Sequence, residues 1–178
     1  MCIRDRFSIV RYGNVMGSRG SVIPYFLSLN DNEDTPITDA RMTRFMITIE
    51  QGIQLVKLAA ADSVGGEIYV KKIPSMNIID IAKAIRPKSE IRMVGVRPGE
   101  KIHEQMIGIE DSQFTYEYKD YYKILPSINR RYEDPCRVGD GVPVGQEFEY
   151  QSGTNPTIMT REELCAWIKA NSASFLDV

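Results

Sequence analysis

The run Phe7-Ser8-Ile9-Val10 passes without a break into Arg11-Tyr12-Gly13-Asn14-Val15, so the first regular element is a short β-prone strand that ends at a glycine-bearing turn. Strand and helix signals alternate from there, the pattern of an α/β domain whose parallel strands need cover on both faces. The six residues before the strand do not read as its lead-in, because Arg4, Asp5 and Arg6 interrupt them with charge. Residues 1–6 are therefore expected to be a non-native leader and residues 7–178 the native part. A domain that opens on a strand in this way is expected to expose a sheet edge or a whole sheet face.

The order of elements follows from periodicity and punctuation. Val22 to Leu29 is apolar enough for a helix, and Asn30 to Thr35 is a polar loop. Thr48-x-x-Gln51 matches a capping box, after which Ile53, Leu55, Val56 and Leu58 are expected on one side of a helix that runs toward Asp62 and stops at Gly65-Gly66. Glu67 to Val70 reads as a strand. Asn77 caps a helix through Ile78, Ile81, Ala82 and Ile85, which Pro87 ends, and Ile91 to Val96 is a further strand. Beyond Tyr116 the signal weakens until Thr160-x-x-Glu163 opens a last helix with Leu164, Trp167 and Ile168 on its apolar side.

Composition excludes several classes. A net charge of -2 on 178 residues gives no electrostatic case for nucleic acid or an anionic membrane, so any anion must be captured by a local arrangement. No apolar run approaches the roughly 20 residues of a membrane span, and no signal peptide is visible. Cys2, Cys136 and Cys165 are odd in number and lack metal-ligand spacing, which suits a reducing cytoplasm and no metal site. No Gly-x-x-Gly-x-x-Gly or Gly-x-Gly-x-x-Gly run occurs, and no Tyr is followed four positions later by Lys. A dinucleotide pyrophosphate loop and a Tyr/Lys proton-transfer pair are thus both missing.

Three segments carry recognisable binding chemistry. In the first, Asn14 stands at the carboxyl end of a strand, where open α/β folds bind ligands. Its amide can donate to a phosphate oxygen or sugar hydroxyl while accepting from a second group. Gly13 would let a ring approach the backbone, and Gly17, Arg19 and Gly20 offer N–H groups and a guanidinium to anionic oxygens. The same residues also suit a glycine-rich strand-to-helix connection with an exposed arginine. In the second, Arg97-Pro98-Gly99-Glu100, a fixed φ followed by glycine makes a tight turn that aims a guanidinium and a carboxylate at one ligand. Those charges suit a diphosphate and a ribose diol, and equally an ordinary surface turn with a local ion pair. In the third, Pro36 to Phe45, Thr38 and Arg44 offer a hydroxyl and a guanidinium, or a strand followed by solvated basic residues.

Taken together, these segments resemble the inverting UDP-N-acetylglucosamine 4,6-dehydratases of pseudaminic acid synthesis, members of the extended short-chain dehydrogenases. Further matches are Gly66-Glu67-Ile68-Tyr69-Val70, Lys72-Ile73-Pro74-Ser75-Met76, Gly95 to Glu104 and Phe148-Glu149-Tyr150-x-Ser152-x-Thr154-Asn155-Pro156. The resemblance implies an α/β fold made of the last Rossmann strands interleaved with a small substrate-binding region, without the N-terminal nucleotide-binding half. It implies that Asn14, Arg19, Gly20, Ser21, Val22, Ile23, Thr38, Arg97 and Glu100 face a UDP-sugar. Arg44 corresponds to an arginine that related epimerases use for the diphosphate. Val15 would touch the nicotinamide end of NADP, which the missing half would mainly hold. The family's Asp, Lys and Tyr catalysts lie outside the chain, so no catalytic residue is expected here. A homo-oligomeric, cytoplasmic parent enzyme is also implied.

His103 is the single histidine and is expected to be structural or partly solvated rather than a proton carrier. The tyrosine-rich stretch Tyr116 to Tyr122, interleaved with acids, reads as a surface or subunit-contact segment rather than a nucleic-acid platform. Alternatives to the dehydratase reading are a stand-alone UDP-sugar-binding or interaction module without catalysis, and a related nucleotide-sugar epimerase or reductase.

Overall fold

The computed structural model describes residues 7–128 and 133–171; the expected leader lies outside them. In chain order the elements are β1 (Ile9–Arg11), β2 (Asn14–Val15), α1 (Val22–Ser28), β3 (Thr35–Ile37), β4 (Thr43–Ile47), α2 (Ile49–Asp62), β5 (Ile68–Lys71), β6 (Ser75–Asn77) and α3 (Ile78–Ile85). Then follow β7 (Ile91–Met93), β8 (Gln105–Ile107), α4 (Ile109–Ser112), β9 (Thr115–Glu117), β10 (Tyr121–Ile124), α5 (Pro135–Val138), β11 (Val142–Pro143), β12 (Tyr150–Gln151) and α6 (Arg161–Ala170). These elements divide between two compact units, each assembled from three stretches of chain.

The first unit comprises residues 7–12, Ile49–Lys72 and Gln105–Gln151. Its five-stranded sheet runs β1-β5-β10-β9-β11, with β1 parallel to β5 and the remaining pairs antiparallel. A parallel pair needs a crossover, and α2, which leads directly into β5, packs Leu55 and Ala59 on Tyr69 with Val10 alongside. The expected apolar side of α2 requires correction. Gly52, Leu55 and Ala59 are buried, whereas Ile53 and Val56 are each 48% exposed. The helix carries two apolar stripes, and the one that includes small residues lets the backbone approach the sheet.

The tyrosine-rich stretch also departs from expectation. It forms the β9–β10 hairpin in the interior of the sheet, and Tyr118 and Tyr122 are buried. Tyr118 stacks on Tyr121 at 4.6 Å and donates its hydroxyl to the Val138 carbonyl, so burial satisfies both the ring and its polar tip. At the opposite end β1 is an edge strand, with Ile9 exposed beside the exposed Phe7.

The second unit comprises Gly13–Thr48, Ile73–Glu104 and residues 152–171. Here β4 sits between parallel β2 and antiparallel β6, and β3 pairs in parallel with β7. Ile23, Phe26, Ile37, Met46, Met76, Ile81 and Leu164 form its core. Local signals act as read from the sequence. Asn77 accepts from the Ile79 N–H at 2.8 Å to start α3, and Thr160 and Glu163 close a capping box on α6. Trp167 and Ile168 pack on the core beside Leu164. The polar loop at 30–34 is pinned by Arg86, whose guanidinium donates to the carbonyls of Leu29, Asn30 and Glu33. The strand expected over Ile91 to Val96 is shorter, ending at Met93 ahead of the turn-forming Gly95 (φ 85°).

Candidate nucleotide-sugar site

Every sequence-predicted binding residue belongs to the second unit. Asn14 and Val15 form β2, whose register against Met46 and Ile47 of β4 holds the exposed Asn14 at the strand's start and leaves Val15 half-buried. Gly13 has a structural role besides the expected one: a Cβ there would clash with Phe45 Cβ and with its carbonyl oxygen, so β4 itself requires the glycine.

After β2 the chain folds into consecutive turns, with Ser18 N–H on the Val15 carbonyl and Ser21 N–H on the Ser18 carbonyl, and with Gly17 and Gly20 at φ 76° and 72°. Arg19 and Gly20 are exposed, and Ser21 is the N-cap residue of α1. Val22 packs against the core and Ile23 lies within it at 1% exposure. Only the backbone of Ile23 therefore remains to meet a ligand.

The parallel register of β3 and β7 brings Thr38 and the 94–100 loop to the same end of that pair, where the Val94 N–H donates to the Ile37 carbonyl. The Arg97–Glu100 turn closes through the Glu100 N–H on the Arg97 carbonyl at 3.0 Å, with Pro98 second and Gly99 third at φ 83°. These are the positions a type II turn assigns to proline and glycine. The Glu100 carboxylate reaches back to the Arg97 N–H at 3.4 Å, and the Arg97 side chain is exposed.

Arg44 is engaged inside the protein. Its Nη1 donates to the carbonyls of Thr43 and Ile102, and its guanidinium lies 4.0 Å from Glu100 and 3.7 Å from Glu104. It thereby ties β4 to the Arg97–Glu104 segment. His103 has a structural setting too: Nδ1 lies 2.8 Å from the Thr43 hydroxyl, which in turn meets Ser152 Oγ at 2.7 Å. The ring also covers Gly153, where a Cβ would come within 2.7 Å of Nδ1.

Glu104 closes the segment that begins at Gly95, and its role is not legible from the sequence alone. Burial raises its pKa above the usual glutamate value against the lowering effects of Arg44, a bond from the Phe45 backbone N–H, and Lys101. The signal in the sequence was its place after the turn, and its partners stand on distant segments. Among the described residues no group of three or more His, Cys, Asp or Glu could hold a metal, and no helix is long and apolar enough to cross a membrane.

Residues 2–126 match the family described as "Polysaccharide biosynthesis protein". Two Campylobacter jejuni proteins named UDP-N-acetylglucosamine 4,6-dehydratase (inverting) are 44% identical over 174 residues and 45% over 168, each match covering 90% of this chain and 50% of the relative. A Rickettsia bellii protein named UDP-glucose 4-epimerase is 39% identical over 131 residues, covering 70% of this chain and 38% of its own. The solved structure titled "X-ray structure of Pen from Bacillus thuringiensis" superposes with a TM-score of 0.78 at 31% identity, over 94% of this chain and 51% of that one. The chain spans about half the length of the curated relatives it matches. The α/β fold class expected of an extended short-chain dehydrogenase is borne out, as is the resemblance to the inverting dehydratases. With a profile match over most of its length, this chain belongs to the polysaccharide biosynthesis protein family.

Proposed function

We propose that this chain carries the UDP-sugar-binding portion of a nucleotide-sugar 4,6-dehydratase acting on UDP-N-acetylglucosamine, with the groups that transfer hydride and protons supplied by sequence outside it. The observation that carries this reading is the grouping of Asn14, Thr38, Arg97 and Glu100 in one unit of a chain 44% identical to a protein of that name. The exposed Arg97 guanidinium suits the diphosphate, whose oxygens it meets with charge-assisted hydrogen bonds. Glu100, fixed by its own turn, suits the ribose hydroxyls as an acceptor. Thr38 and the N–H groups of Arg19, Gly20, Val22 and Ile23 are further donors for the ligand. Arg44 acts as the tether that holds these pieces in register.

NADP does not fit the residues of this chain by themselves. Val15 offers it an apolar contact, but the 178 residues contain no glycine run to hold a dinucleotide pyrophosphate. The parent enzyme on this reading is cytoplasmic and homo-oligomeric. A related epimerase is the second reading, favoured by the 39% identity to the Rickettsia protein.

Calorimetric titration with UDP tests the binding role. The chain should bind UDP, and Arg97→Ala should weaken it by about tenfold or more, the usual loss for a hydrogen bond to a charged group. Unchanged affinity in Arg97→Ala would make the turn purely structural. Incubation with UDP-N-acetylglucosamine and NADP should leave the sugar unchanged. Formation of a 4-keto-6-deoxy sugar would refute the assignment of chemistry to outside sequence, and a C4 epimer would favour the second reading.

A further inference from the structure

The contacts of His103 fix more than the place of its ring. Nδ1 lies 2.8 Å from Thr43 Oγ1, which lies 2.7 Å from Ser152 Oγ. Two further contacts carry direction. Ser152 Oγ accepts at 2.9 Å from the N–H of Glu104, whose carboxylate meets the Asn14 amide nitrogen at 3.1 Å, and it lies 3.1 Å from the Thr43 carbonyl, which can only accept. Each hydroxyl has one hydrogen to give. If Ser152 gives its hydrogen to the Thr43 carbonyl, the Thr43 hydroxyl gives its own to Ser152, and Thr43 Oγ1 then takes a hydrogen from Nδ1. All four contacts are hydrogen bonds in that arrangement. If Nδ1 is bare, Thr43 turns its hydrogen to the ring, Ser152 turns to Thr43 Oγ1, and the bond to the Thr43 carbonyl is lost. The network therefore favours the tautomer with hydrogen on Nδ1, which leaves a bare lone pair on Nε2.

That nitrogen is on the open edge of the ring. Gly153 packs against the opposite edge, where a Cβ would come within 3.0 Å of Nδ1, Cγ and Cδ2, and among the described residues none bonds Nε2. The ring is half-buried. Its nearby acid is Asp39, the residue after Thr38: the bonds from Arg41, and after them the charges of Arg41 and His103, hold the Asp39 carboxyl below the usual range. A carboxylate has no hydrogen to offer a bare nitrogen. We propose that His103 is a ligand-binding residue, held by Thr43 and Ser152 as an Nδ1–H imidazole whose Nε2 accepts a hydrogen bond from the sugar. The donor is a hydroxyl or the acetamido N–H, and an ionised phosphate, with only lone pairs to present, is disfavoured there. Thr43 and Ser152 are positioning residues. The ligand half of this inference rests on the UDP-sugar reading above; the tautomer does not.

His103 is the single histidine, so its ring nitrogens identify themselves. Long-range 1H–15N spectra of the 178-residue chain at about pH 8.5, where an ordinary imidazole is neutral, should show Nδ1 protonated and Nε2 bare. A ring protonated on Nε2 would overturn the tautomer, and this measurement needs no variant to fold. Thr43→Val should release the ring into a mixture of tautomers, and an unchanged pattern would overturn the positioning role. Adding UDP-N-acetylglucosamine should move the Nε2 resonance, whereas UDP should leave it in place. Equal movement with both ligands, or binding of the sugar nucleotide without movement, would overturn the sugar-facing assignment. In calorimetry, His103→Asn keeps a donor for Thr43 Oγ1 but loses Nε2. It should weaken UDP-N-acetylglucosamine by about fivefold, the worth of one neutral hydrogen bond, and leave UDP affinity unchanged. A chain that binds neither ligand would overturn the UDP-sugar reading, and the spectra would still decide the tautomer.

Discussion

Glu67 and Arg137 form a buried ion pair, their side chains 1% and 9% exposed, that joins the start of β5 to α5 in the first unit. The Glu67 carboxylate also accepts from the Gly65 N–H at 2.7 Å and the Val64 N–H at 3.3 Å, while Arg137 donates to the Gly65 carbonyl. Removing the cation leaves a buried carboxylate with backbone partners alone. Arg137→Met should cost about 3–5 kcal/mol, read as a lowered urea midpoint. Adding Glu67→Met should recover only part of this, because the N–H groups of Val64 and Gly65 then lose their acceptor.

The Arg97–Glu100 turn makes a sharper demand on its carboxylate than on its fold. Glu100→Ala should weaken uridine nucleotides by roughly 1.5–3 kcal/mol and their 2'-deoxy counterparts by less, since a ribose hydroxyl is the group that loses its acceptor. Glu100→Gln retains an oxygen for the turn and should fall between the two. Paired titrations with UDP and 2'-deoxy-UDP check the order.

Alkaline pH should unfold the first unit through its hairpin. Burial, reinforced by the Glu117 and Tyr150 charges, pushes the Tyr122 hydroxyl up to about 12. Since the folded value lies above the unfolded value near 10, the stabilisation is complete below pH 10 and is lost as pH rises toward 12. Tyr122→Phe should flatten that fall, which thermal melts at stepped pH with phenolate absorbance would follow.

Edge strand β1, with Ile9 55% and Phe7 76% exposed, should make the chain associate. Light scattering behind size exclusion should show species larger than a monomer, and Ile9→Lys should reduce them. A monodisperse, cooperatively unfolding monomer of the unmutated chain would contradict this.

The elements legible in the sequence were those whose signals are local. Asn77 and Thr160 announced α3 and α6 because a cap needs only its own next three residues. The β9–β10 hairpin was hidden because its polar residues take cross-strand or sequence-distant partners: Lys72 bonds Glu117 at 2.7 Å, and the nearly buried Lys123 bonds Asp62 at 2.9 Å. Read along the chain, those charges imitate a solvated surface. In α2 two apolar stripes competed, and periodicity could not choose between them. The candidate segments were visible as motifs, yet the pairing of Asn14 with Glu104 was not, because it arises where β2 pairs with β4 and the Phe45 N–H of β4 holds Glu104.

The three-stretch construction of the second unit has a consequence for its biogenesis. Leu164, fully buried in that unit's core, and Ser152, bonded to Thr43 and Glu104, are translated well after Asn14, Arg97 and Glu100. While the ribosome is still adding them, Asn14, Arg97 and Glu100 are already made but lack the packing that fixes their backbone. The candidate site is therefore completed only once α6 has emerged, and a chain arrested before that point would present these residues on an unfinished core open to chaperones and proteases.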